Sequence, residues 1–449
     1  MNGELLPTLK AMFLVTDEEV AALAHQFEPS AGLSIASIEV GFDPFDFART
    51  GALLVDRAVA LSTPSNERLA GLGTAWRATA AGSSRFESLR DQLVDLGQPD
   101  VRAFVGFSFL SDGPTTDTWD GFEAAEVFVP RITIEGNGGA TRLTVAIPAG
   151  ERPEPTLELL ASMRTPAWNA VDDTGDHSIE SHPHVTDYAS SVATAIDAIN
   201  AGTLEKVVLA RSVIVNSSEP VAILRVFRQL AQRYPQCYNF AWKSGDAVFL
   251  GASPELLADV RGTSLRSNPL AGSIKRGEGS DEDRALGESL MSSAKDREEH
   301  RLVVDDLVAR ISPMTSRLDV PPSPELKKMA SVQHLSTEIS GELERGYGIM
   351  DVVSAAHPTP AVGGVDRDDA VSFIRQSEQI DRGWYTGGIG WMNGAGDGAI
   401  AIGLRCGIVR GGSTQLFAGA GIVAGSQPDA ELRETRLKLR PLLDVLATN

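Results

Sequence analysis

"CYNFAWKSGDAVFLGASPELLADVRGTSLRSNPLAG", Cys237 to Gly272, is the stretch on which the fold turns. Its aromatic and β-branched runs read as strands, broken at Ser244-Gly245-Asp246 and again at Arg261-Gly262. Connections that short join neighbours only as hairpins, so the strands run antiparallel. Upstream, "KVVLARSVIV" (Lys206 to Val215) reads as a buried strand. It follows a helix that places Tyr188, Val192, Ala195, Ile196 and Ile199 on one face, with Gly202 as its stop. Downstream, "WYTGGIGWM", "AIAIGLRCGIV" and "TQLFAGAGIV" form a second meander. Helical periodicity fills the interval at Glu282–Met291, Arg297–Ile311, Gly348–Ala356 and Asp368–Gln376, and "AELRETRLKLR" (Ala430 to Arg440) reads as an exposed helix. Runs of strands separated by runs of helices predict α+β, with no doubly wound sheet. "FAGAGIVAG" (Phe417 to Gly425) superficially resembles a dinucleotide loop, but its GxGxxxG spacing and its place in an antiparallel meander argue against that use.

The 449 residues carry a formal charge of -20, which disfavours a nucleic-acid partner, since tracking phosphates needs clustered Lys and Arg. An anionic small molecule would need cations or a metal placed locally. Cys237 and Cys406 stand alone without metal-binding spacing, which suggests a reducing compartment. "MNGELLPTLK" has no signal-peptide pattern and no run reaches membrane-span length, so a cytoplasmic protein without membrane association is expected. The polar stretch Asn169 to Val185 divides residues 1–185, expected to contribute to the sheet scaffold, from 186–449, expected to carry the site within one large domain. In the first part "RAFVGFSFL" and "AEVFVPRITIE" read as strands and Asp17–His25 as a helix, and nothing there reads as chemistry.

Candidate chemistry lies in the second part. "SAKDREEHRLVVDDLV" opens a helix with Asp296, Glu299 and His300, and Glu431 and Glu434 lie three apart on the last helix. Asp296 in a first turn has a structural use, because it complements the helix dipole. Two helices directing carboxylates to one point would suit Mg²⁺, which takes oxygen ligands and fills its shell with water and substrate oxygens. Lys206 opens an apolar strand, and Glu255 follows "FLGASP" with Leu256 and Leu257 behind it. Both could be solvated strand ends. If buried, the lysine would lose its proton more easily and the carboxyl would keep its own, giving a base and an acid near neutrality. The glycines of "FAGAGIVAG" and "NPLAGSIKRG" could present backbone N–H groups to an anion. His334 in "VQHLSTE" reads as a satisfied core histidine, and "HPTPA" (His357 to Ala361) as a rigid loop.

Taken together, "LEKVVLARS", "FLGASPELL", "NPLAGSIKRG", "SAKDREEHRLVVDDL", "HLSTEISG", "HPTPAVGG", "YTGGIGW", "LRCGIV", "LFAGAGIVAGS" and "ELRETRLKL" resemble the chorismate-utilising enzymes over roughly residues 186 to 446. The resemblance implies two packed, largely antiparallel sheets with helices outside and a Mg²⁺-dependent site for chorismate. It assigns Glu299 and Glu434 as metal ligands, with Glu431 and Asp296 in the surrounding acidic shell. Arg405 and the Gly419–Gly421 backbone match the part that holds the enolpyruvyl carboxylate, and Gly272, Ser273, Tyr385 and Lys438 match further substrate positions. His334 would help to orient the C4 side. Ala271 stands where aminodeoxychorismate synthases of one type carry a nucleophilic lysine. Lys206 stands where anthranilate synthases lack one, so water is the expected nucleophile and no glutaminase subunit is expected. Ala361 replaces the Thr of salicylate and anthranilate relatives. The implied activity is that of isochorismate synthases, which convert chorismate to isochorismate by adding water at C2 and releasing the C4 hydroxyl. A pyruvate-releasing salicylate-type lyase and a non-catalytic carboxylate-binding relative are the alternatives. The product could feed menaquinone, siderophore or salicylate synthesis.

Overall fold

The computed structural model describes residues 14–28, 32–163 and 177–447. The N-terminal decapeptide and residues 169–176 of the polar boundary stretch lie outside the described residues. Among the described residues every strand pairing is antiparallel, in sheets of twelve, nine and three strands. The α+β class holds.

Both expected hairpins form. Tyr238–Ser244 pairs with Ala247–Ser253 around Gly245 (φ +56°), and Leu256–Arg261 with Ser264–Asn268 around Gly262 (φ +59°). These turn residues need the left-handed region that glycine enters freely. The prolines that follow the hairpins, Pro254 and Pro269, change the picture. Ala247–Ser253 belongs to the twelve-stranded sheet, but Leu256–Arg261, just past Pro254, belongs to the nine-stranded one. Past Pro269 the chain leaves again, and Leu270–Lys275 joins Val332–Ser336 and Glu325–Lys328 in a small third sheet beyond the two expected. Proline has no N–H for a ladder, so it falls where pairing stops.

The closing meander crosses back. Gly398–Ile402 pairs with Leu256–Arg261, while Cys406–Arg410 pairs with Ala247–Ser253, so "AIAIGLRCGIV" is two strands in two sheets with Gly403–Arg405 between them. The outgoing and returning crossings bond to each other through Ala252 N–H to Arg405 O (3.2 Å) and Ile402 N–H to Glu255 O (3.1 Å). Residues before 186 complete both large sheets. Arg57–Ser62 adds to Tyr238–Ser244, and Ala103–Phe107 adds to Gly388–Met392. "AEVFVPRITIE" likewise divides at Pro130 into Ala125–Val129 and Ile132–Gly136, one in each sheet.

Between the two large sheets lies an aromatic core that includes Trp119, Trp242, Trp384, Phe104, Phe128 and Phe249. Edge-to-face pairs such as Trp242–Trp384 (5.1 Å) recur in it, each adding about 0.5–1.5 kcal/mol beyond the area it buries. Helices cover the outer faces: Arg85–Asp95, Ala294–Ile311 and Ile349–Ala356 on one side, Pro44–Gly51 and Ile223–Arg233 on the other. The helix expected from Tyr188 spans Val185–Asn200 and buries Tyr188, Val192, Ala195 and Ile199, with Ile196 only half-buried at the edge of that face.

Candidate active site

The cavity opens beside the two clamped crossings. Glu255 and Arg405, one on each crossing, both face it. Its other walls come from the three-stranded sheet (Gly272, Ser273, His334), the Ala361–Val362 loop, Tyr385 and Thr386, the glycine strand (Gly419, Gly421), Glu299, and the last helix (Glu434, Lys438). Lys206 is fully buried behind Gly421 and Glu299, its Nζ 3.2 Å from Glu299 Oε1 but without a well-aligned hydrogen bond. The catalytic, substrate and metal positions expected from the sequence therefore all line this cavity except Lys206, which lies directly behind it.

Ala294–Ile311 starts cleanly because the Ser293 side chain accepts from Asp296 N–H. Glu299, one turn on, then projects at the glycine strand. A methyl group on Gly421 would stand 2.2 Å from Glu299 Oε1 and 3.3 Å from Lys206 Cε, so only glycine leaves room for that carboxylate. The last helix, Pro428–Ala447, was expected to be exposed, and on one face it is not: Glu431 and Thr435 are buried. It packs against Val185–Asn200, Ile223–Arg233 and Ser413–Ile422, which covers that face. Glu434 reaches the cavity paired with Lys438 (2.6 Å), and Lys438 also donates to Gly419 O (2.9 Å).

The acidic neighbours have other partners. Glu431 is bonded to Lys295 Nζ (2.8 Å) and ties the two carboxylate-bearing helices together. Burial pushes its carboxyl up, reinforced by Glu434 and opposed by Lys295. Asp296 is engaged with Ser293 and touches Gly272, and neither Asp296 nor Glu431 lines the cavity.

Glu255 is 3% exposed, and burial raises its carboxyl to about 7. A hydrogen bond from Leu270 N–H and the charges of Lys206, Lys327 and Lys438 hold it from rising further. It therefore titrates close to neutrality and is still partly protonated there. His334 is buried and pushed well below its usual value, first by desolvation and then by Arg405 and Lys438. Its Nε2 lies 3.4 Å from Arg405 Nη2, which can only donate, so the ring proton belongs on Nδ1, facing Ser273 Oγ (2.9 Å) and Gly272 O (3.3 Å). The sequence reading of a satisfied core histidine was half the answer, because His334 also aims Arg405 into the cavity. Tyr385 stacks on Phe417 (5.2 Å) with its hydroxyl towards Gly419.

Three contributors escaped the sequence reading. Lys327 donates to Pro254 O (2.9 Å) at the crossing next to Glu255. Glu378 and Arg382 form a buried pair behind the cavity wall. Their spacing of four residues was the available signal, but it reads as ordinary helix surface, and the helix in fact ends at Ser377.

A family model described as chorismate binding enzyme matches residues 21–447. The chain belongs to that family. Among the relatives of this chorismate-binding enzyme is the salicylate biosynthesis isochorismate synthase of Pseudomonas aeruginosa, 36% identical over 360 residues, covering 76% of this chain and 73% of the relative. The isochorismate synthase DhbC of Bacillus subtilis is 40% identical over 281 residues, covering 61% and 71%. The menaquinone-specific isochorismate synthase of Escherichia coli shares the fold, with a TM-score of 0.83 at 24% identity over 96% of this chain and 98% of that structure.

The contact at Gly421 sets a test of the site's tolerance. Gly421→Ala must displace Glu299, and misplacements of about 1 Å can cost a hundredfold in rate. Turnover is expected to fall on that scale while the thermal unfolding temperature changes little. Wild-type turnover in the variant would show that the Glu299 position is not critical.

Proposed function

We propose that the protein is an isochorismate synthase that interconverts chorismate and isochorismate. The observation that carries this reading is a buried carboxyl raised to about 7, Glu255, on the wall of a cavity that also presents Arg405 and Lys438 for a dianion, with the buried Lys206 directly behind the wall residues Gly421 and Glu299. In this reading Lys206, holding no proton at that moment, takes one from the water that attacks C2. The ring double bonds shift, and Glu255 gives its proton to the departing C4 hydroxyl. Microscopic reversibility makes Glu255 the base and Lys206 the acid on the way back. Arg405, oriented by His334, receives the enolpyruvyl carboxylate together with the Gly419–Gly421 strand. The N-terminal 185 residues serve as scaffold, their strands completing both sheets.

The family is consistent with a metal-dependent enzyme, and the donor set fits Mg²⁺. Glu299 and Glu434 both face the cavity with hard oxygen atoms. Among the described residues no group of three or more His, Cys, Asp or Glu is placed to hold a metal ion. Glu299 and Glu434 alone would leave the other positions to water and substrate, as Mg²⁺ prefers. When bound, Mg²⁺ supplies a positive partner for the ring carboxylate and for charge that develops during the double-bond shift. No helix among the described residues is long and apolar enough to cross a membrane. Cys237 and Cys406 are both free and buried, in keeping with a reducing, cytoplasmic setting.

Three outcomes test the reading. Glu299→Gln and Glu434→Gln should each abolish turnover without unfolding the protein, and EDTA should do the same, reversed by Mg²⁺. Activity that survives exhaustive chelation would remove the metal from the scheme. For the acid, only the protonated fraction of Glu255 can donate. As pH rises through about 7, kcat/KM for chorismate should decline, approaching tenfold per further pH unit. Glu255→Gln should lose that limb and about 10²–10⁴-fold in rate, and an unchanged pH profile in the variant would reassign the acid.

Product identity separates the rivals. Ala361 leaves space beside the substrate, so isochorismate should leave before its enolpyruvyl group is eliminated. The wild type, given chorismate and Mg²⁺, is expected to form isochorismate with little pyruvate, and Ala361→Thr to raise the pyruvate-to-isochorismate ratio. Stoichiometric pyruvate from the wild type in a coupled lactate dehydrogenase assay, corrected for spontaneous decay, would make the lyase the correct reading.

A further inference from the structure

The strand Lys206–Ser217 pairs along one edge with Ser413–Ile422. Its other edge is interrupted. Lys206 and Val207 pair with Gly364-Val365, and Ser212–Ser217 pairs with His177–His182, which, among the described residues, leaves 208–211 without a strand neighbour on that side. Buried backbone groups need partners. Gly363 O takes Val208 N–H (2.8 Å), and two side chains take the place of a strand for the rest. Arg382 Nη2 donates to Val208 O (2.8 Å), and Glu378 Oε1 accepts from Ala210 N–H (2.7 Å).

The two side chains grip each other, Arg382 Nε to Glu378 Oε2 at 2.8 Å and Nη2 to Oε1, with side-chain exposures of only 2% and 4%. The remaining nitrogen, Nη1, donates to Val362 O (2.8 Å) and to Thr386 Oγ1 (3.3 Å). All five guanidinium N–H groups are thereby used. Val208, Val362 and Thr386 all line the cavity. A neighbouring strand could have closed the ladder but could not also have reached the Ala361–Val362 loop and the Tyr385–Thr386 turn.

We propose that Glu378 and Arg382 are positioning residues for the reaction: as one unit they hold the strand that carries Lys206, the loop that carries Ala361 and the turn that carries Tyr385 in fixed relation around the substrate. This inference rests on the isochorismate synthase reading. Neither side chain is placed in contact with substrate. The substrate's charged groups would meet Arg405 and Lys438, which the pair does not hold, so loosening it disturbs the alignment of reacting atoms more than affinity.

The test uses Glu378→Gln, which keeps the volume and an acceptor for Ala210 N–H, and Arg382→Lys, which keeps the charge but not the five-donor fork. Each variant is assayed for chorismate loss with product identification, beside circular dichroism melts. Folded variants are expected to lose about tenfold or more in kcat while KM for chorismate stays within about threefold, the pattern of an interaction realised in the transition state. Wild-type kcat in either folded variant, or a loss confined to KM, overturns the proposal. Failure of both to fold also overturns it, because the pair would then serve the fold alone. A wild type that converts chorismate to some other product defeats the isochorismate reading, yet the ratio of kcat values between variants and wild type still decides this one.

Discussion

Two antiparallel chain crossings, bonded to each other through Ala252 N–H to Arg405 O and Ile402 N–H to Glu255 O, are the constraint on which the structure depends. Each crossing carries a strand from one large sheet into the other, so the ladder hydrogen bonds of both sheets fix where the crossings lie. Glu255 and Arg405 are therefore held by backbone pairing on both sides and not by a free loop. A site on such rigid elements keeps its geometry through the motions that loops undergo. The same device recurs at Pro269 and Thr337, where the third sheet leaves the second and brings Ser273 and His334 to the cavity.

Charge is handled locally and against the trend of the molecule. A chain with a formal charge of -20 binds a dianion only if cations are concentrated where it docks. In the proposed reading Arg405 and Lys438, both on the cavity wall, provide that concentration, and Lys438 lies against the carboxylate of Glu434. Burial does the complementary work on Glu255, whose raised carboxyl is kept near 7 by a backbone N–H and by three lysines at longer range. Desolvation thus lets this carboxyl keep its proton to a higher pH than a solvated one would.

The legible part of this protein was its local pattern. Turn glycines such as Gly245 and Gly262 announced the hairpins, and helical periodicity announced Val185–Asn200 and Ala294–Ile311. The convergence of Lys206, Glu255, Glu299, Arg405 and Glu434 came through resemblance, because pattern alone cannot bring residues some two hundred positions apart together. What stayed hidden was the change of sheet at Pro254, Pro269 and Gly403: a strand that switches sheets alternates in the same way as one that continues. The buried faces of Glu431 and Thr435 were hidden for a related reason, since polar residues packed against other polar residues look like a solvated surface. Arg382 belongs with them: its spacing from Glu378 looks like ordinary helix surface, and the backbone carbonyls it also meets, Val208 and Val362, leave no trace in the sequence.

Backbone strain marks two residues of the cavity wall. Arg405 (φ +48°) and Thr386 (φ +61°) both occupy the left-handed region, and Thr is β-branched, which makes its position the more unusual. Such residues cost about 1–3 kcal/mol each and persist where the surroundings over-determine them. Glycine would remove the strain at either place but would also remove the guanidinium that meets His334 or the hydroxyl that accepts from Arg382. The surroundings here are the ladder bonds at the returning crossing, with Thr386 N–H fixed to Gly403 O and Gly403 N–H to Gly387 O. The cavity wall is thus held in a conformation its residues would not choose, by the sheet pairing that also brings the two crossings together.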